Sequence, residues 1–113
     1  MLDAVAGQLE RYMDLLSLRQ KLVASNIANA DTPGYLTKDI DFQTEMANAS
    51  GQPGAPQVIE AQGLKLNNDR NNVSLDRESR LLAENALRFQ IATALMRGEF
   101  QTERMAIEEG RGS

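Results

Sequence analysis

Residues able to do chemistry are scarce in this chain of 113 residues, which has no His and no Cys. Without His it lacks the usual general base and the commonest metal ligand near neutral pH. Without Cys it has no thiolate nucleophile, disulfide or Cys-type zinc site. Carboxylates and side-chain amides supply the spacings that suggest a site. Asn67, Asp69, Asn71, Val73 and Glu78 stand at the spacing of a calcium-binding loop. The fit is poor, because Asn67 replaces the leading Asp, Asn72 replaces the turn Gly, and no helical pattern precedes them. A polar turn running into a helix N-terminus explains the same residues. Asp39 and Asp41 are the other candidate pair; with no base or cleft nearby they read as alternating exposed acids on an extended piece. The expectation is a protein that is not an enzyme, with no catalytic residue, cofactor, metal or small-molecule substrate.

Composition narrows the classes further. Twelve basic residues against sixteen acidic ones leave a net charge of −4. With no basic stripe, a nucleic-acid partner is not expected. No apolar run approaches the ~20 residues of a membrane span. The opening Met1-Leu2-Asp3-Ala4 lacks the basic and apolar regions of a cleavable signal, so any export is expected to proceed without one.

The elements that position these residues follow from periodicity. From about Leu2 to Ala30, Leu9, Tyr12, Met13, Leu16, Val23 and Ile27 recur on three- and four-residue steps, the period of an amphipathic helix. Pro33 disfavours helical geometry at Thr32, and Gly34 suits the positive φ of a type II turn, so the helix is predicted to end at or near Ala30. A second helix is predicted from about Leu75 to Ile107, with Ser74 as N-cap and Asp76 and Glu78 in its first turn. Leu82, Phe89, Met96, Phe100 and Ile107 mark its stripe, interrupted by Gly98. Leu9, Leu16 and Val23 are the matching helix-packing positions on the first helix. Short extended pieces are possible at Ile40-Asp41-Phe42 and Gln57-Val58-Ile59.

The predicted fold is mainly α: two long amphipathic helices forming an antiparallel hairpin, with an irregular extended middle. Residues 1–45 make the first helix, the turn and a short extended segment. Residues 46–73, rich in Gly, Asn and Gln, form a flexible or partner-ordered loop. Residues 74–113 make the second helix and a frayed tail. Two such rods cannot enclose each other's broad apolar stripes, so the chain reads as a subunit of something larger.

Asn26-Ile27-Ala28-Asn29-Ala30-Asp31-Thr32-Pro33-Gly34-Tyr35 resembles the N-terminal signature of flagellar rod, hook and hook-associated proteins. The continuation Asp39-Ile40-Asp41-Phe42 is most similar to the proximal rod subunits of that family. The stretch Asn71-Asn72-Val73-Ser74-Leu75-Asp76-Arg77-Glu78, followed by Glu84-Asn85-Ala86-Leu87-Arg88-Phe89-Gln90, resembles the opening of their C-terminal helix. The resemblance implies a structural subunit of the periplasmic rod of the bacterial flagellar basal body, exported through the flagellar type III apparatus. It implies a helical assembly in which terminal helices pair and pack with neighbours. The partners it implies are copies of the chain, other rod proteins, and membrane-ring or adaptor proteins at the rod base. Asn26, Ile27, Asn29, Asp31, Thr32, Pro33, Gly34, Tyr35 and Phe42 are then the expected inter-subunit contacts. The middle is shorter than is usual in the family. A soluble helical-hairpin adaptor or chaperone-like module is the alternative from another class.

Overall fold

The computed structural model describes residues 2–48 and 54–112. Helix α1 spans Leu2–Ala28, strand β1 Lys38–Ile40, helix α2 Phe42–Asn48, strand β2 Val58–Glu60 and helix α3 Leu75–Gly112. The chain is therefore mainly helical, with one two-stranded sheet. It is elongated, 71 × 27 × 17 Å.

Helix α1 ends at Ala28, two residues before the predicted stop, where the ladder tightens to i→i−3 bonds from Asn29 N to Asn26 O and from Ala30 N to Ile27 O, both 3.2 Å. The amide of Asn29 donates to Ser25 O at 3.0 Å, and its side-chain Nδ2 donates to the same oxygen at 2.8 Å. A turn follows, closed by Tyr35 N donating to Thr32 O at 3.2 Å, with Pro33 inside it and Gly34 at φ 77°. These are the features of a type II turn.

Strand β1 pairs antiparallel with β2 in the register Lys38↔Glu60, Asp39↔Ile59, Ile40↔Val58. The strands overlap the two expected extended pieces only in part, β1 sharing Ile40 with the first and β2 sharing Val58 and Ile59 with the second. Phe42 departs from the expectation and opens α2 instead. Asp41 precedes it as a cap, its Oδ1 accepting Thr44 N at 3.2 Å. Helix α2 lies on α1, where Phe42 meets Tyr12 edge-on with ring centroids 5.3 Å apart, and Glu45 pairs with Arg11 at 3.5 Å. The other oxygen of Glu45 accepts Gln57 N at 3.1 Å, tying α2 to the approach to β2.

Helix α3 starts where Ser74 predicts, its Oγ accepting Arg77 N at 3.2 Å. Its buried positions Glu78, Asn85 and Ala92 recur every seven residues and face α1. Glu78 meets Asn26, and Asn85 approaches the Leu16 carbonyl and Gln20. Among the described residues Leu15, Leu16, Val23, Ile40 and Ala92 are the buried apolar side chains, a thin core for so long a molecule. Much of the apolar surface of α3 stays outside it.

Candidate functional site

The signature residues gather at the end of the molecule where α1 stops, the turn reverses the chain, β1 begins and α3 starts. Asn26 is the hub. It is fully buried. Its Oδ1 accepts the Tyr35 hydroxyl and Lys38 N, both at 3.0 Å. Its Nδ2 donates to Lys38 O at 2.9 Å and to Glu78 Oε2 at 3.1 Å. Every hydrogen-bonding capacity of the amide is therefore used within the chain, which is what burial of such a group requires.

Asn71 does the same job from the opposite side. It is also fully buried, and its Nδ2 bridges Asn29 O at 2.9 Å and Thr32 O at 2.8 Å. Asn72 accepts both the amide and the hydroxyl of Thr37, at 2.7 and 2.8 Å. Gly34 N donates to Asp69 O at 2.9 Å. The turn after α1 is thus laced to the loop before α3 by side-chain amides and backbone groups.

An ionic cluster lies beside this clasp. Arg19 grips Asp39 with two bonds of 3.0 Å, one to each carboxylate oxygen, and Arg77 bonds both Asp39 Oδ2, which it shares with Arg19, and, at 2.7 Å, Glu78 Oε1. Burial alone would raise the Asp39 pKa, but the bond from Arg19, the 2.8 Å bond from Ile40 N, the charge of Arg19 and the bond from Arg77 outweigh it. The carboxyl is held below its ordinary range. Asp39 is therefore not the exposed acid its alternation with Asp41 suggests; Asp41 is exposed and caps α2.

Chemically this arrangement holds rather than reacts. The Glu78 carboxylate of the calcium-loop pattern is occupied by Arg77 and Asn26. Among the described residues no group of His, Cys, Asp or Glu is placed to hold a metal ion. Residues 67–71 form the polar turn instead, closed by Asn67 N donating to Asn71 O at 2.8 Å, with Arg70 at φ 66°.

Residues 13–35 match the family model described as flagella basal body rod protein. The flagellar basal body rod protein FlgB of Yersinia ruckeri is 30% identical, over 97% of this chain and 100% of its own length. That of Escherichia coli strain K12 is 31% identical over 96% of both chains, and that of Bacillus subtilis strain 168 is 25% identical over 91% and 92%. The chain belongs to the FlgB family. It is accordingly a structural protein of the flagellar basal-body rod.

Within this FlgB-family chain the signature divides into two sets. Asn26, Asn29 (through its carbonyl) and Tyr35 build the clasp, and Phe42 is half-buried against Tyr12. Ile27, Asp31, Thr32, Pro33 and Gly34 are exposed, with Thr32 and Gly34 joining the clasp through their backbone groups. The helix-packing positions divide as well. Leu16 and Val23 are buried and Leu9 and Met96 half-buried, whereas Leu82, Phe89, Phe100 and Ile107 are exposed. Sequence reasoning placed Asn71, Asn72 and Arg77 near a helix start, but missed that they and Arg19 complete the clasp. The signal available was the pair of adjacent Asn just before the Ser74 cap, which local turn chemistry alone does not require.

Proposed function

We propose that this protein builds the proximal part of the rod as a non-catalytic subunit, with α1 and α3 acting as an antiparallel hairpin that packs against neighbouring subunits into the tubular axis. The observation that carries the reading is likeness to FlgB proteins along nearly the whole chain. Two features support the hairpin as the assembling unit. Glu78 meets Asn26, while Asn85, later in α3, meets Leu16 and Gln20, earlier in α1. Large apolar side chains of α3 also stay exposed, as a surface covered by other chains would.

In this reading the clasp holds the turn in shape, and the exposed residues Ile27, Asp31, Thr32, Pro33 and Gly34 make the inter-subunit contact at that end. The partners are copies of the chain, other rod proteins and the ring or adaptor proteins at the rod base. Delivery is through the flagellar type III apparatus without a cleaved signal, to the periplasmic rod. No helix among the described residues is long and apolar enough to cross a membrane.

An immunoblot of purified hook–basal bodies, beside total lysate and cytosol, tests the proposal. Enrichment that survives detergent and salt washing is the expected result. A purely cytosolic signal in cells with intact flagella would overturn it.

A further inference from the structure

Of the three residues that α3 buries against α1, the middle one is out of keeping with its surroundings. Asn85 is 4% exposed and lines a groove of about 510 Å³ with Leu16, Ala86 and Phe89. Its Nδ2 reaches Gln20 Oε1 at 3.4 Å and Leu16 O at 3.5 Å. The side-chain amides of the clasp make bonds of 2.7 to 3.1 Å. Its Oδ1 accepts nothing from the described residues. An amide buried on such terms stabilises little, and a Leu of similar size would serve the contact at least as well.

Apolar packing leaves a choice open at this place. Leu9, Leu16 and Val23 repeat every seven residues along α1, as Glu78, Asn85 and Ala92 do along α3. Sliding α3 by seven residues toward the start of α1, roughly 10 Å, sets Leu9 where Leu16 now lies and Leu16 where Val23 now lies. Apolar burial is then nearly the same. Glu78 would leave Asn26 and come level with Arg19, seven residues earlier, which suits its charge. Asn85 would come level with Met13 in place of Gln20 and lose its side-chain partner. The opposite slide is closed, because it brings Glu78 level with Pro33, beyond the end of α1.

We infer that Asn85 is a register pin, which together with the Asn26–Glu78 contact fixes where α3 lies along α1 without adding to stability. A lone polar residue in a helix seam selects one register in this way, because every other register leaves it unpaired. Register also sets reach. Helix α3 has 38 residues and α1 has 27, and from the Asn26–Glu78 contact α3 overhangs the start of α1 by about 15 Å. The slipped hairpin would lengthen that overhang by roughly 10 Å. Subunits stacked along an axis need the same reach in every copy. That consequence rests on the rod reading; the pin itself does not.

Spin-label distances in the purified chain test the pin independently of any assembly. The chain has no Cys, and Ala24→Cys in α1 with Gln101→Cys in α3 places both labels at exposed positions. One distance is expected in this parent, and one also after Asn26→Ala, where Asn85 is the pin that remains. Asn26→Ala with Asn85→Leu should add a second population roughly 10 Å longer. Asn85→Leu alone should melt at the temperature of the parent or above it. A lower melting temperature for Asn85→Leu overturns the inference, since the Asn then holds the fold rather than choosing its register. A single unshifted distance in the double variant overturns it, because apolar packing then suffices. Two distances already in the parent or in Asn26→Ala, or loss of helix in the double variant, overturn it as well.

Discussion

A single buried amide holds four groups in this protein. Asn26 bonds Tyr35, both backbone groups of Lys38, and Glu78. Asn26→Ala leaves those partners buried and unsatisfied and should cost about 3 kcal/mol, read from urea denaturation of the purified chain. Asp39 makes a second residue-scale prediction. Its native pKa lies below the ordinary value of 3.8, so its ion pairs contribute in full above that value. The contribution is lost as pH falls through the lowered native pKa. Stability of the wild type should therefore drop steeply only below about pH 4. Asp39→Asn should flatten that part of the profile, while destabilising the chain near neutral pH because Arg19 and Arg77 lose their shared partner. Denaturation midpoints across pH 2.5 to about 7 check both statements.

Among the elements, the turn after α1 and the middle of α3 invite opposite glycine substitutions. Gly34 sits at φ 77°, where an L side chain is strained even though nothing crowds it. Gly34→Ala should cost about 1 kcal/mol and loosen the clasp, since Gly34 N is bonded to Asp69 O. Gly98→Ala should do the reverse in the isolated chain, adding roughly 0.5–1 kcal/mol of helix stability in open space. Thermal melts by circular dichroism separate the two. The strands teach a related lesson. Neither three-residue strand stands by itself, but Asp39 in β1 is anchored by arginines from both long helices, and β2 gains its place by pairing with β1.

For the whole molecule, the balance between folding and assembly is set by how little of α3 the subunit covers. Leu82 and Phe89 are 38% and 39% exposed. Leu82→Asp or Phe89→Asp should therefore leave the isolated chain folded, with a stability change of about 0.5–1 kcal/mol, yet abolish rod assembly by placing a charge in an apolar contact. Helical content of the purified variant and motility of the strain carrying it give the two readouts. A motile strain with normal basal bodies would contradict the assembly claim.

Local pattern was enough to find α1, the cap at Ser74, the type II turn at Pro33-Gly34 and the membership carried by residues 26–35, because each depends on neighbours within a few positions. Helix α2 was hidden, since Asp41-Phe42 reads equally as a strand end until Phe42 has Tyr12 to pack on. The clasp was hidden more deeply. Asn26 and Glu78 are 52 residues apart, and Asn71 and Asn29 are 42. Periodicity can put a polar residue near a helix end, but only the folded chain decides whether water, a neighbour or its own distant backbone satisfies it. The sequence by itself determined that two amphipathic helices would leave apolar surface over. Which side of α3 that surface occupies was decided by tertiary structure, because α1 covers only the face of Glu78, Asn85 and Ala92 and leaves the large apolar side chains around it exposed.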